Sequence, residues 1–250
     1  MIQRLFRNDG DSCDNPQFNR PLRQRGLGVI ATVTAVISLF QASTGLTTSE
    51  VAMSSKRLAF TPEQCGEFAR AADPHQWLLT ADSLHRQAVA LYQQRGRGQI
   101  VQRTPGQPPV SWDDTNRATF LLAAFALENA LKAFLVYEHP GYVADGFLSK
   151  EICSHRLVAL SKLSSQIPYR IRDECVLAAF EAGNESWMRY PCGRDANSLQ
   201  PEAQLTDLLW SGYRRVARGY GLKLKRLLQK GWNGPHDCGG TWQTTFDWLA

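Results

Sequence analysis

The chain has 250 residues, of which 43% are hydrophobic and 20% are charged, as expected for a soluble globular protein with a sizeable core. Its six cysteines are scattered without CxxC spacing and are too few per residue for a disulfide scaffold, which favours a reducing compartment. One residue separates Cys153 from His155 and His236 from Cys238, which is not a structural-zinc spacing, so neither a metal site nor a cofactor is predicted. The formal charge of +5 permits an anionic partner without requiring one.

Residues 1–57 are predicted to be an irregular N-terminal extension. They include a short apolar segment, LGVIATVTAVISLF at 27–40, which is shorter than the roughly 20 residues that cross a bilayer. This segment fits a signal peptide or weak membrane anchor, a buried element of the fold, or a translated extension upstream of a start at Met53. We favour a start at Met53, which predicts a cytoplasmic protein.

The alternative is a membrane-anchored or exported protein that uses residues 26–43 as its signal. The arginines that precede this segment would then keep the N-terminus in the cytoplasm. Contact with a membrane is expected only in that case. The N-terminal mass of the protein from its own host separates the alternatives, since a chain that begins at Met53 or Ser54 excludes the anchor.

Hydrophobic periodicity and helix-end signals predict helices in the part of the chain that follows. They cover residues 73–94, 115–138, 154–167, 169–187 and 201–230, and Asp73 and Pro74 mark the start of the first. The predicted apolar faces of the last three helices are Leu157, Leu160, Leu163 and Ile167; Ile171, Cys175, Ala178, Ala179 and Ala182; and Leu205, Leu208, Leu209, Tyr213, Val216 and Tyr220. No strand pattern competes with them over 70–230, and the Gly- and Pro-rich stretch 95–109 is predicted to be a loop. We therefore expect an all-α, antiparallel up-and-down bundle of four to five helices over 58–231. The tail 232–250 carries tryptophans that are expected to cover the bundle.

The most apolar helix, FLLAAFALENALKAFLVY at 120–137, carries two charges in its middle. Glu128 and Lys132 stand four residues apart, which places them on one helix face. Because an uncompensated buried charge costs roughly several kcal/mol, the two groups must be paired or placed at a surface. The simplest expectation is that they satisfy each other.

A basic face is predicted on the last helix, opposite its apolar stripe. It consists of Arg214, Arg215, Arg218, Lys223, Lys225, Arg226 and Lys230. Such a face is either solvated or a binding surface for RNA or another polyanion.

Three short motifs follow one another along these helices: AFALENALKAFLV in the second, SHRLVAL at the start of the third, and RYP at the end of the fourth. Their order and spacing resemble the HEPN superfamily of small helical bundles over residues 73–230. The resemblance implies an up-and-down bundle that often dimerises, of a kind common in prokaryotic toxin–antitoxin, defence and RNA-processing systems. It also implies RNA, a nucleotide, a nucleotidyltransferase or an antitoxin-like protein as partner.

Ribonucleases of this superfamily resemble one another in an Arg-x4-6-His motif. Arg189 takes the place of its arginine here, but residues 190–194 contain no histidine. A His could take the proton of a ribose 2′-hydroxyl while an Arg stabilises the developing charge, so the acid/base half is missing. We therefore expect a non-catalytic binding module whose polar cluster holds Glu128, Lys132, His155 and Arg189, with Glu128 facing Arg189 or Lys132. The alternative is a divergent ribonuclease that uses Arg189 and His155.

Overall fold

The computed structural model describes residues 60–168, 170–184, 187–190, 195–198 and 200–250. The chain divides into two units, residues 1–58 and 59–250, and all described residues belong to the second. The predicted extension 1–57, with its apolar segment 27–40, lies outside the described residues. The described part is predominantly helical. Its helices are α1 (Pro62–Ala71), α2 (Pro74–Gln94), α3 (Asn116–Glu138), α4 (Leu157–Ser161), α5 (Ile171–Ala182) and α6 (Asp207–Lys230).

The core is built around α3, in which 15 of 23 residues are buried. Helix α2 packs along it over the largest interface between elements, and α4, α5 and α6 contact it from other sides. Among the described helices, α3 alone is long and apolar enough to cross a membrane, but 78% of its apolar window is buried in the fold. Helix α3 is apolar on nearly all sides because it is the central helix of the core.

The start of α2 follows the predicted signals. Asp73 caps the helix by accepting a hydrogen bond from the Gln76 amide at 2.8 Å, and Pro74 occupies the first helical position. Helix α1, by contrast, is absent from the prediction, although Thr61 and Gln64 form a capping box at its start. With ten residues, it is too short to show a clear hydrophobic period.

The stretch between α2 and α3 is not the plain loop that was predicted. Strands β1 (Gln99–Gln102) and β2 (Val110–Asp113) pair antiparallel as a hairpin. The prediction was wrong because both strands have only four residues and are largely exposed, and β1 shows no alternation of apolar and polar residues. Two-residue strands β3 (Trp232–Asn233) and β4 (Gly239–Gly240) form a second pair in the tail.

Helices α4 and α5 are shorter than predicted. Helix α4 ends at Ser161, where 154–167 was expected, and Leu163 is exposed rather than inward-facing. Helix α5 ends at Ala182 rather than at Trp187. Its predicted apolar side, which began with Ile171 and Cys175, is also wrong, because both residues are exposed.

The buried face of α5 is instead formed by larger side chains. It comprises Asp173, Val176, Leu177 and Phe180. Phe180 contacts Phe120 of α3 and Tyr213 of α6, with ring centroids 5.1 and 5.3 Å apart. Burying a side chain of this size contributes about 1.5–3 kcal/mol, more than the alanines and the cysteine of the predicted face could supply.

Helix α6 begins at Asp207 rather than near Pro201, because Thr206 caps it and accepts a hydrogen bond from the Leu209 amide at 3.2 Å. Its predicted inner face is confirmed at Leu209, Tyr213, Val216 and Tyr220, which are buried. Leu208 is exposed. The helix continues through Gly219 and Gly221 without interruption.

The tail covers the helices, as its tryptophans predicted. Trp232 and Trp248 are buried against the core, and the Trp232 indole donates a hydrogen bond to the Val136 carbonyl at 3.2 Å. Near its end the Leu249 amide donates to the Asp82 carboxylate at 2.9 Å, which joins the tail to α2. On α6, Gly221 lies directly under the Trp248 carbonyl.

Candidate functional site

The two charges of α3 form a buried ion pair. Lys132 Nζ donates to Glu128 Oε1 at 2.7 Å, and their side chains are only 7% and 6% exposed. This confirms the expectation that the two groups satisfy each other. The ammonium group of Lys132 also lies 5.5 Å from the centre of the Trp77 ring of α2, where the face of the indole attracts a cation.

His155 is the third member of this cluster. Its Nδ1 lies 3.0 and 3.1 Å from the two carboxylate oxygens of Glu128. Since an ionised carboxylate can only accept, Nδ1 carries a proton in this contact, and Nε2 is the ring nitrogen that does not contact Glu128. The side chain is 49% exposed, so a buried carboxylate orients a solvent-accessible imidazole.

Arg189 does not contact Glu128. The expectation that Glu128 faces Arg189 is therefore wrong, while the alternative, that it faces Lys132, is correct. Its guanidinium lies over the ring of Phe125 at 4.8 Å, and its Nε is buried without a hydrogen-bond partner among the described residues. Phe125 precedes Glu128 by three residues and shares its helix face. Arg189 is thus a neighbour of the cluster, while the contact to Glu128 from outside α3 comes from His155.

Asn184 is a member that the sequence did not suggest. It is 2% exposed, and its amide nitrogen donates to the His155 carbonyl at 3.5 Å. Its Oδ1 has no partner within the described part of the chain. The residue follows α5 directly and ties the segment around His155 to the end of that helix. Sequence reasoning missed it because no motif marks a lone asparagine after a helix.

The basic face of α6 is present and spread over about half of the helix circumference. Arg215, Arg218, Arg226 and Lys230 are exposed, whereas Arg214, Lys223 and Lys225 are half-buried. Two of the seven cations are neutralised. Arg215 pairs with Asp173 at 3.3 Å, and Lys225 pairs with Asp247 at 2.9 Å. The other five have no ion-pair partner among the described residues.

An open cavity of about 490 Å³ adjoins this face. Arg214, Arg215 and Arg218 of α6 line it together with Arg170, which directly precedes α5. The single acidic side chain in its lining is Asp173. The remaining lining residues are Pro168, Val216, Gly219, Tyr220, Leu222 and Ala250. Arg170 is a second candidate that the sequence did not suggest, because only the packing of α5 against α6 brings it to the basic face.

A buried polar network lies where the tail meets α2 and α6. His85 is fully buried, with Nδ1 2.7 Å from the Tyr213 hydroxyl and Nε2 3.1 Å from the Ala250 carbonyl. Because that carbonyl only accepts, Nε2 carries the proton and Nδ1 accepts from Tyr213. Burial lowers the pKa of His85 and raises the pKa of the Tyr213 hydroxyl, so both groups stay neutral near pH 7.

His236 and Cys238, which are separated by one residue, each form a hydrogen bond with a backbone carbonyl. His236 Nε2 bonds to the Ala144 carbonyl at 2.6 Å, and the Cys238 thiol donates to the Gly66 carbonyl at 3.4 Å. The residues that the structure describes contain no group of three or more His, Cys, Asp or Glu side chains that could hold a metal ion.

The chain thus carries two candidate sites. One is the Glu128–Lys132–His155 cluster, which is internally compensated and half open at His155. The other is the basic face of α6 with its adjoining cavity, where cations outnumber acids. Comparison with protein-family models, with curated proteins and with solved structures finds no match for this chain.

Proposed function

We propose that the chain is a HEPN-like helical module that binds RNA through the basic face of α6 without cleaving it. The proposal includes an antiparallel up-and-down arrangement of the long helices. In support, α2 and α3 are consecutive, are joined by the β1–β2 hairpin and share the largest interface. Consecutive helices that pack along each other over a large interface are typical of such bundles.

The observation that carries the proposal is the charge balance of the basic face. Five of its seven cations have no ion-pair partner among the described residues, and Arg170 adds a further cation beside them. From Arg214 to Lys230 the face extends for about 24 Å along the helix. An RNA strand could place several phosphates along that length, and each neutralised phosphate releases counterions.

In this module the cluster of Glu128, Lys132 and His155 has a structural role. Glu128 and Lys132 neutralise each other inside the core, and their charges are therefore not offered to a ligand. His155 and Asn184 then attach the segment before α4 to the same helix and to the end of α5.

The test compares two charge reversals of equal size. Arg218→Glu/Arg226→Glu acts on the basic face, and Arg97→Glu/Arg103→Glu acts on exposed arginines at the hairpin. Fluorescence anisotropy with a labelled 12-nucleotide RNA should show binding that weakens as salt is raised, with a slope of about −0.7 per phosphate contacted. The α6 variant should lose about tenfold or more in affinity and have a shallower salt slope.

The hairpin variant is the matched control, since it makes the same change in net charge at residues outside the basic face of α6. Equal weakening by the two variants would indicate that only total charge matters and would contradict a defined binding face. Absence of RNA binding by the unaltered protein at low salt would refute the proposal outright.

A divergent ribonuclease is the second candidate, and the Glu128–His155 contact favours it. The carboxylate fixes the ring so that Nε2 can accept a proton, as a general base for a ribose 2′-hydroxyl must. Arg189, beside the same helix face, would stabilise the phosphorane charge.

This candidate predicts that purified protein degrades RNA and that His155→Ala abolishes the degradation. Arg189→Ala should reduce it as well. RNA that stays intact after long incubation with the unaltered protein would exclude the ribonuclease and leave the binding module. If Arg189→Ala changes neither folding nor RNA binding, the cluster has no part in the binding function.

A further inference from the structure

The cavity beside α6 combines a cluster of arginines with a recess, and a surface that only binds a phosphate backbone does not need a recess. Arg170, Arg214, Arg215 and Arg218 converge on a volume of about 490 Å³. This volume falls within the range of small-molecule sites, roughly 300–1,000 Å³. A surface that only follows a phosphate backbone requires cations but no recess.

The charge of the cavity selects an anionic group. Its lining contains four arginine side chains against one acidic side chain, and that side chain, Asp173, already pairs with Arg215 at 3.3 Å. Arginine presents a planar fork of N–H donors that matches two phosphate oxygens, and it stays charged at any physiological pH. Arg170 and Arg218 are exposed and free of ion pairs within the described residues, so they can turn toward a phosphate.

The rest of the lining is apolar. Pro168 and Leu222 line the cavity and are half-buried. Val216 and Tyr220 line it as well and are buried. Burial also raises the pKa of the Tyr220 hydroxyl, which keeps this wall uncharged. Such a wall offers contact to a flat, weakly polar ring beside the phosphate.

We propose that this cavity accepts one unpaired nucleotide of an RNA strand, with its phosphate on the arginines and its base against the apolar wall. This inference rests on the proposed RNA-binding function and adds a preference to it. A base inside a duplex is stacked and paired, so only its backbone could reach the arginines. The cavity therefore distinguishes single strands from duplexes.

Gly219 provides a test that leaves every charge in place. It lines the cavity, and a Cβ built on it meets no heavy atom within 4 Å. Gly219→Phe should fill the recess while the helix is kept, because Phe is a better helix former than Gly. Gly219→Ala is the matched control, which changes the same backbone position but leaves most of the cavity open.

Affinities are measured by anisotropy for a single-stranded 12-nucleotide RNA and for a 12-base-pair RNA duplex, with all three proteins. Gly219→Phe should weaken single-strand binding about tenfold, the scale of one base contact, and leave duplex binding within about twofold. Gly219→Ala should match the unaltered protein on both RNAs. Uridine 5′-monophosphate should compete for the single strand more strongly than uridine or inorganic phosphate, which separates a nucleotide site from a simple anion site.

The outcomes separate this inference from the function on which it rests. If Gly219→Phe leaves single-strand binding unchanged while Arg218→Glu/Arg226→Glu weakens it, the cavity proposal is overturned and the basic face stands. Competition by inorganic phosphate equal to that by the mononucleotide would overturn the base contact. Loss of duplex and single-strand binding to the same extent in Gly219→Phe would also overturn it.

Discussion

Gly219 and Gly221 stand two residues apart on nearly opposite faces of α6 and should respond in opposite ways to the same substitution. A Cβ at Gly221 would collide with the carbonyl oxygen and carbon of Trp248, whereas a Cβ at Gly219 enters open space. Gly221→Ala therefore forces the tail away from α6. The helix itself gains from either change, because Ala is favoured over Gly by about 1 kcal/mol in a helix interior.

The size of the effect follows from what the displaced tail loses. Trp248 and Leu249 are 5% and 1% exposed, and burial of each contributes about 1.5–3 kcal/mol. After the helix gain is deducted, Gly221→Ala should lower the free energy of unfolding by about 2–5 kcal/mol. For a fold of this size the melting temperature should fall by about 5–15 °C. Gly219→Ala should raise it by about 2–4 °C.

Thermal unfolding followed by circular dichroism gives the melting temperatures. Hydrogen exchange measured by mass spectrometry reports the tail directly, since peptides covering residues 246–250 should lose protection in Gly221→Ala and keep it in Gly219→Ala. The reasoning is refuted if Gly221→Ala is as stable as the unaltered protein and its tail stays protected. It is also refuted if both substitutions destabilise to the same degree.

Two further predictions concern buried charge and pH. Lys132→Met should lower the free energy of unfolding by about 3–5 kcal/mol, because it leaves the Glu128 carboxylate buried without its ammonium partner. The double variant Glu128→Leu/Lys132→Met should recover most of that loss. Urea unfolding of both variants measures the two free energies, and a double variant no more stable than Lys132→Met would contradict the prediction. His85 has a pKa lowered by burial, so the unfolded chain takes up a proton near its ordinary value of 6.5 before the folded chain does. Stability should therefore fall as pH drops from 7 toward 5, with a smaller contribution of the same sign from His75, whose pKa burial also lowers. His85→Gln should flatten this dependence in melting curves, and an unchanged slope would exclude the buried imidazole as its source.

Much of the helical framework could be predicted because the signals are local. The Asp73 cap and the periodic stripe of α2 agree with the structure, and the pairing of Glu128 with Lys132 follows from their spacing on one helix. The buried face of α5 could not be predicted in this way. Small residues and large ones form two competing stripes on that helix, and only the shape of the surface offered by α3 and α6 selects the larger set.

The contacts of the candidate sites differ in the same way in how far the sequence predicts them. Spacing on one helix predicted the contact of Glu128 with Lys132. The family resemblance suggested His155 as a member of the same cluster, although it meets Glu128 across 27 residues of sequence. Arg170 joins the α6 arginines only through helix packing and was not predicted. The placement of Arg189 over Phe125 rather than on Glu128 is likewise a tertiary contact, which spacing within one helix does not predict. A sequence motif can indicate which residues are important but not which neighbour each one meets.

The docking of the tail on α2 also bears on the order in which the protein folds. The Leu249 amide and its acceptor Asp82 are separated by 167 residues, whereas α2 and α3 are neighbours along the chain. Closing so long a loop carries a larger entropy cost, so contacts between α2 and α3 should form early and the tail should dock late. The last contact to form is also the first to open, and its opening would expose His85 and the rim of the arginine-lined cavity while the helices remain folded.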